Sequence, residues 1–172
     1  FTHVNPEVND HLVDTVMRMA GDVSGRKVLD VFAGIGNLGL PLAMAGGDIT
    51  AVEQQHRAVV FMERNYAISR CELRSIEQDA SMALEQLHDE GYEPFTVISD
   101  PPLGIQAVDV DLIARLNPQR IIHLCSMPHL MAEVIQKLTS AGYQLQAIQP
   151  LDMYPQTPFT LAVARLDRSA HA

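Results

Sequence analysis

The chain has 172 residues, 47% hydrophobic and 19% charged, a composition that suits one folded domain with a full core and excludes a disordered or fibrous chain. No apolar run approaches the roughly 18 residues that a membrane-spanning helix needs. A formal charge of −9 argues against these residues gripping a polyanion by themselves, because phosphate neutralisation takes clustered Lys and Arg.

In chain order, a helical pattern over 6–20 precedes the most informative stretch, KVLDVFAGIGNLGLPLAMA at 27–45. It predicts a strand at 27–32, a glycine-rich turn and a helix from about Asn37. Gly34, Gly36 and Gly39 let the backbone turn sharply and approach a ligand, and the helix start offers N–H groups to whatever sits there. The spacing also reads GxGxxG, the dinucleotide fingerprint. Asp30 is expected at the end of a buried strand, where a carboxylate needs loop N–H groups or a ligand ammonium and would repel a pyrophosphate. That favours S-adenosylmethionine over NAD. Glu53 closes the strand at 48–52 and is placed to receive ribose hydroxyls in either cofactor class.

Helices at 54–70, 80–90, 108–116 and 129–141 alternate with strands at 73–77, 95–99, 120–125, 144–149 and 160–165, without internal repeats. The alternation predicts an α/β fold with a parallel sheet, whose ligand lies outside the carboxyl ends of the strands. Asp30, Glu53, Asp79, Asp100 and Ser126 all fall at that rim. The segment VISDPPLG at 97–104 is a strand ending in an acid and two prolines, which fix the turn and leave Asp100 facing the cleft. Cys71 and Cys125 stand far apart without CxxC or His spacing, so reduced thiols are expected instead of a disulfide or zinc site. His56, His88, His123 and His129 form no HExxH pattern, and no metal ligand is expected among them. The methionines at apolar helical positions, Met17, Met19, Met44, Met62 and Met82, read as core filler. No charged-then-apolar leader precedes Phe1, so a cytoplasmic location is expected; the missing initiator Met suggests a piece of a longer protein.

FTHVN at 1–5, LDVFAGIGNLGLPLA at 29–43, DPP at 100–102, IIHLCSMPHLM at 121–131 and PLDMYPQTPF at 150–159 together resemble the catalytic domain of the RNA uracil-5 methyltransferases. The match runs in order over nearly the whole chain, and the DMYPQT hexapeptide is its most specific part. The resemblance implies a seven-stranded, Rossmann-like class I fold in one domain over 1–172. It implies S-adenosylmethionine as cofactor, held by His3, Asp30, Gly34, Gly36, Asn37, Glu53, Asp79 and Asp100. It also implies rRNA or tRNA as substrate, held partly by a separate N-terminal RNA-binding domain that these residues lack.

The departures fall on the chemistry. Such enzymes add a cysteine thiolate to uracil C6 and later remove the C5 proton with a carboxylate. Aligning the family's VSCNP with LCSMP puts Ser126 at the nucleophile position and Cys125 one residue early, as the alternative nucleophile. The family's QTxHxE becomes QTPFTL, with Phe159 for the histidine and Leu161 for the base. Turnover on uracil would then require Ser126→Cys and Leu161→Glu together. DPPR becomes DPPL at Leu103, and His3 replaces a glutamine. Two further readings stay open: a non-catalytic cofactor-binding or regulatory module, and a nucleic-acid methyltransferase that uses Asp100 and the prolines to orient an exocyclic amine.

Overall fold

Strands that are apolar on both faces must be covered on both faces, and the chain does this with three helices to a side. The computed structural model describes residues 6–102 and 108–169. Its elements are α1 (Pro6–Ala20), β1 (Lys27–Val31), α2 (Gly39–Met44), β2 (Asp48–Glu53), α3 (His56–Ile68), β3 (Arg74–Glu77), α4 (Ala80–Asp89), β4 (Thr96–Ser99), α5 (Val108–Arg115), β5 (Arg120–Cys125), α6 (Pro128–Ser140), β6 (Tyr143–Leu151) and β7 (Leu161–Arg168). They form a seven-stranded sheet in the order β3-β2-β1-β4-β5-β7-β6. One core joins α1, α2 and α3 to the sheet through residues such as Leu12, Leu42, Met62 and Val28. The other joins α4, α5 and α6 through Leu84, Ile113, Met131 and Leu29. Met19 and Met62 are buried as expected, but the core-filler expectation is corrected at Met44 and Met82, which are exposed because Leu42 and Ala83 with Leu84 take the inward faces of α2 and α4. The strand order reverses at β1 and β4, and ligands of open α/β sheets bind at such a switch point.

The seven-stranded α/β sheet is as expected, and its parallel course holds for five strands and not for β7. β1 to β5 pair in parallel, but β7 runs antiparallel to both β5 and β6. The cause is the short 152–160 connection, since a parallel crossover takes a dozen or more residues. α2 starts at Gly39, later than the expected Asn37, because Gly36 still has a left-handed φ of 87° and Leu38 is the N-cap.

Arg120 pins α1 to this frame. Its Nε donates to Asp167 Oδ1 at 2.9 Å, and its Nη1 donates to the carbonyl of Ala20, the last residue of α1. At the other end of the helix, Asn9 and Asn37 exchange side-chain amide hydrogen bonds at 3.2 and 2.9 Å, which ties α1 to the turn after β1.

Candidate functional site

The turn leaves β1 abruptly. Phe32 has a φ of 65°, unusual for a bulky residue, and Gly34 follows at 57° and Gly36 at 87°. The strained Phe32 packs against the α4–α6 core and borders a cleft of about 90 Å³ that Glu53, Gln54, Gln55, Asp100 and Pro102 also line. Glu53 is fixed there by two backbone donors: Gly34 N–H reaches Oε2 at 2.9 Å and Gln55 N–H reaches Oε1 at 2.8 Å. Each carboxylate oxygen keeps a second lone pair for a ligand hydroxyl. The expected acid at the end of β2 thus faces the expected acid after β4 in one cleft.

Asp30 lies deeper than the sequence suggested. It is only 1% exposed and sits within β1, on the α1–α3 side of the sheet and beneath the turn, so it is no part of the open rim. The Gly39 backbone N–H hydrogen-bonds its carboxylate, and Oδ2 has no partner. The first N–H of α2 is thus turned toward Asp30 beneath the turn. Burial first, then the charges of Asp100 and Glu53, push the Asp30 carboxyl up to about 7, against the Gly39 hydrogen bond.

The other sequence candidates separate. Gly34 and Gly36 form the turn, whereas Gly39 is helical and needs its bare Cα for space: a Cβ there would stand 2.6 Å from the Tyr66 hydroxyl and 2.7 Å from Asp30 Oδ2. Asn37 pairs with Asn9 and borders a separate groove of about 310 Å³, lined also by Val13, Leu40 and Asn65. Asp79 is exposed and caps α4, its Oδ1 accepting from Ser81 N–H at 3.0 Å and Met82 N–H at 3.5 Å. His3 and Leu103 lie outside the described residues.

At the end of β5, Cys125 Sγ is 3.3 Å from the Met127 carbonyl, to which it donates. Burial pushes its thiol up and the Asp100 charge adds to this, so the sulfur stays protonated near neutral pH. Ser126 is half-buried, and its carbonyl accepts from Thr160 N–H at 3.2 Å, docking the 152–160 loop against it. Phe159 packs edge-on against Tyr154 with ring centroids 6.4 Å apart. Leu161 is 1% exposed and lies in the same core as Met153. Buried His123 is pushed down to about 4 and stays neutral. Among the described residues no group of His, Cys, Asp and Glu is arranged for a metal ion, and no helix is long and apolar enough to cross a membrane.

Sequence reasoning missed Asn65 and Tyr66. Asn65 Nδ2 donates to the Ile35 carbonyl at 3.0 Å, and Tyr66 packs under the turn, its ring 2.9 Å from where a Cβ on Gly36 would stand. Helical spacing with Val59 and Met62 marks Tyr66 as a core residue, but nothing in the sequence tells where its hydroxyl ends.

Two carboxylates, Glu53 and Asp100, lining one cleft beside the glycine turn suit a cofactor with cationic groups and a ribose better than one with a pyrophosphate. The fold is that of the class I S-adenosylmethionine-dependent methyltransferases. The sequence profile of the family described as Conserved hypothetical protein 95 matches residues 7–148, and the chain belongs to that family. It is 31% identical over 170 residues to an uncharacterized RNA methyltransferase of Caldanaerobacter subterraneus subsp. tengcongensis, covering 98% of this chain and 38% of that protein. It is also 31% identical over 174 residues to the 23S rRNA (uracil(1939)-C(5))-methyltransferase RlmD of Nitrosococcus oceani, with the same coverage. The chain thus spans well under half the length of these curated relatives. Among solved structures, the Pyrococcus abyssi tRNA (uracil-54, C5)-methyltransferase in complex with S-adenosyl-L-homocysteine superposes with a TM-score of 0.77 at 25% identity, over 96% of this chain and 40% of that one. The magnesium protoporphyrin IX methyltransferase of Synechocystis PCC 6803 shares the fold, with a TM-score of 0.74 at 18% identity, over 95% of this chain and 79% of that one.

Proposed function

We propose that the chain is the S-adenosylmethionine-binding domain of an RNA methyltransferase, one domain of a longer protein, with the uracil C5 chemistry of its relatives lost or altered. The observation that carries this reading is the Glu53 carboxylate, fixed by Gly34 and Gln55 N–H groups opposite Asp100 in one cleft of a class I fold. Glu53 receives the ribose hydroxyls, the Gly34–Gly36 turn lets the backbone approach the ligand, and Asp79 is assigned to the adenine amine through the carboxylate oxygen that it does not spend on capping α4. Asp100 and its prolines form the wall between cofactor and substrate. The bound cofactor supplies an electrophilic methyl group on a sulfonium. Calorimetry tests the reading: S-adenosylhomocysteine is expected to bind and NADH is not, and the reverse result at millimolar concentration defeats it.

Thiolate addition to uracil has no prepared nucleophile here. The Ser126 hydroxyl stays protonated without a base, and the Cys125 thiol is raised and donates to Met127. RNA containing 5-fluorouracil is therefore expected to form no covalent adduct, as read by denaturing gel. Ser126→Cys is expected to permit at most adduct formation. An adduct through Cys125 in the unmodified chain would mean that the LCSMP alignment is off by one residue and that the uracil chemistry is intact.

A second reading is favoured by Asp100 and Pro102 lining the Glu53 cleft: transfer to an exocyclic amine, which needs an acceptor for the amine hydrogens and no covalent cysteine. In either case the RNA is held largely outside these residues. With a net charge of −9, the 172 residues are expected to bind tRNA or rRNA fragments weakly and with a shallow salt dependence. Sub-micromolar affinity in a low-salt filter-binding assay would overturn this.

A further inference from the structure

α3 meets the cofactor cleft and the glycine turn at separate points. At its head, the N-cap Gln55 gives its backbone N–H to Glu53 Oε1 at 2.8 Å. Near its other end, about 15 Å along the helix, Asn65 Nδ2 donates to the Ile35 carbonyl at 3.0 Å. Ile35 follows Gly34, whose N–H holds the second oxygen of the same carboxylate, Glu53 Oε2, at 2.9 Å. The three bonds close a ring that runs from Glu53 through Gln55, along α3 to Asn65, across to Ile35 and back through Gly34.

The ring is stiff where it can be checked. Its long side is a helix packed into the core through Val59, Met62 and Tyr66. Met62 and Tyr66 also lie against Gly36, where an added Cβ would stand 3.3 and 2.9 Å from them, so the far part of the turn rests on α3. On the short side, Ala33 N–H binds the Val52 carbonyl at 3.0 Å and joins the turn to β2 next to Glu53. Among the described residues no hydrogen bond other than that of Asn65 joins α3 to the turn.

That bond adds little to folding. Asn65 is half-buried, and both it and Ile35 line the groove of about 310 Å³ beside the turn, so water can reach the carbonyl when the amide is removed. Asparagine is also a poor helix former, because its amide competes for backbone groups, so α3 gains nothing from it locally. Water satisfies a carbonyl without fixing where it points. What the amide supplies is direction.

We propose that Asn65 is a positioning residue for cofactor binding: by holding the Ile35 carbonyl it sets the Gly34 N–H, and through that bond the pose in which the Glu53 carboxylate meets the ribose hydroxyls. This rests on the reading that the cleft binds S-adenosylmethionine through Glu53. With the ring closed, each Glu53 oxygen has a fixed donor and one defined lone pair left for a hydroxyl. With the ring open, the carboxylate is held by Gln55 alone, and binding has to restore the order that the ring supplied.

The test is calorimetric titration of the 172-residue chain with S-adenosylhomocysteine at pH 7, beside a thermal melt of each variant. Asn65→Ala is expected to weaken binding by about 3- to 10-fold, the factor for one hydrogen bond between uncharged groups, and to melt within about 3 °C of the parent. Asn65→Asp, which keeps the size of the side chain and replaces its donor by an acceptor, is expected to lose at least as much. In a Glu53→Ala background the ring is already open, so adding Asn65→Ala is expected to change affinity by less than about 2-fold. A side chain that serves only folding would weaken binding by the same factor in both backgrounds, and that result overturns the proposal. So does parent-like affinity in the Asn65 variants, with Asn65→Asp deciding where Asn65→Ala does not fold. If the unmodified chain binds no S-adenosylhomocysteine, the cofactor reading falls and this inference with it, whereas binding that the Asn65 variants leave unchanged sinks this inference alone.

Discussion

Glu53→Ala is expected to weaken S-adenosylhomocysteine binding by about 10- to 150-fold, corresponding to roughly 1.5–3 kcal/mol for hydrogen bonds to a charged acceptor. The size of the effect follows from two roles held by one carboxylate. Its oxygens fix the turn through Gly34 N–H at 2.9 Å and the start of the next segment through Gln55 N–H at 2.8 Å, and they face the cleft where a ribose would lie. Alanine removes the acceptor and frees the turn that shapes the rest of the site. The carboxylate is only half-buried, so the freed N–H groups can reach water and folding should suffer by about 1 kcal/mol, a few degrees in Tm. Calorimetry beside a thermal melt separates the two effects. A variant that melts near the parent and binds as tightly would remove Glu53 from the cofactor site.

Leu161→Glu is expected to destabilise the chain by about 3–5 kcal/mol, lowering Tm by roughly 10 °C or preventing folding, instead of restoring a catalytic base. Leu161 is 1% exposed and packs in the core of the α1–α3 face with Met153 and Val163. A glutamate there must stay protonated or lie ionised among apolar groups. Turnover on uracil requires, by the sequence reading, Leu161→Glu beside Ser126→Cys and a domain to deliver the RNA, and the burial of residue 161 on the α1–α3 side of β7 is the obstacle to that route. Cys125 stands opposite Ala162 in the β5–β7 register, and both pack against the α4–α6 core, so position 162 shares the thiol's side of the sheet. A Leu161→Glu variant melting within about 3 °C of the parent would show that this site is open to water.

The sequence by itself determined the alternation of strands and helices, the glycine turn after β1, and the acids Glu53 and Asp100 at strand ends, because periodicity and turn chemistry are local properties of a chain. Strand pairing decided the rest. The antiparallel course of β7 follows from the short 152–160 connection, and it sends Leu161 into the core while Ala162 faces the other side. Asp30 could be recognised as a carboxylate in a buried strand, but its place below the turn depends on α2 starting at Gly39 and on Tyr66 arriving from α3. No local pattern carries that information: burial and hydrogen-bond pairing are set by groups dozens of residues apart, and a side chain's chemistry follows from those neighbours as much as from its own identity.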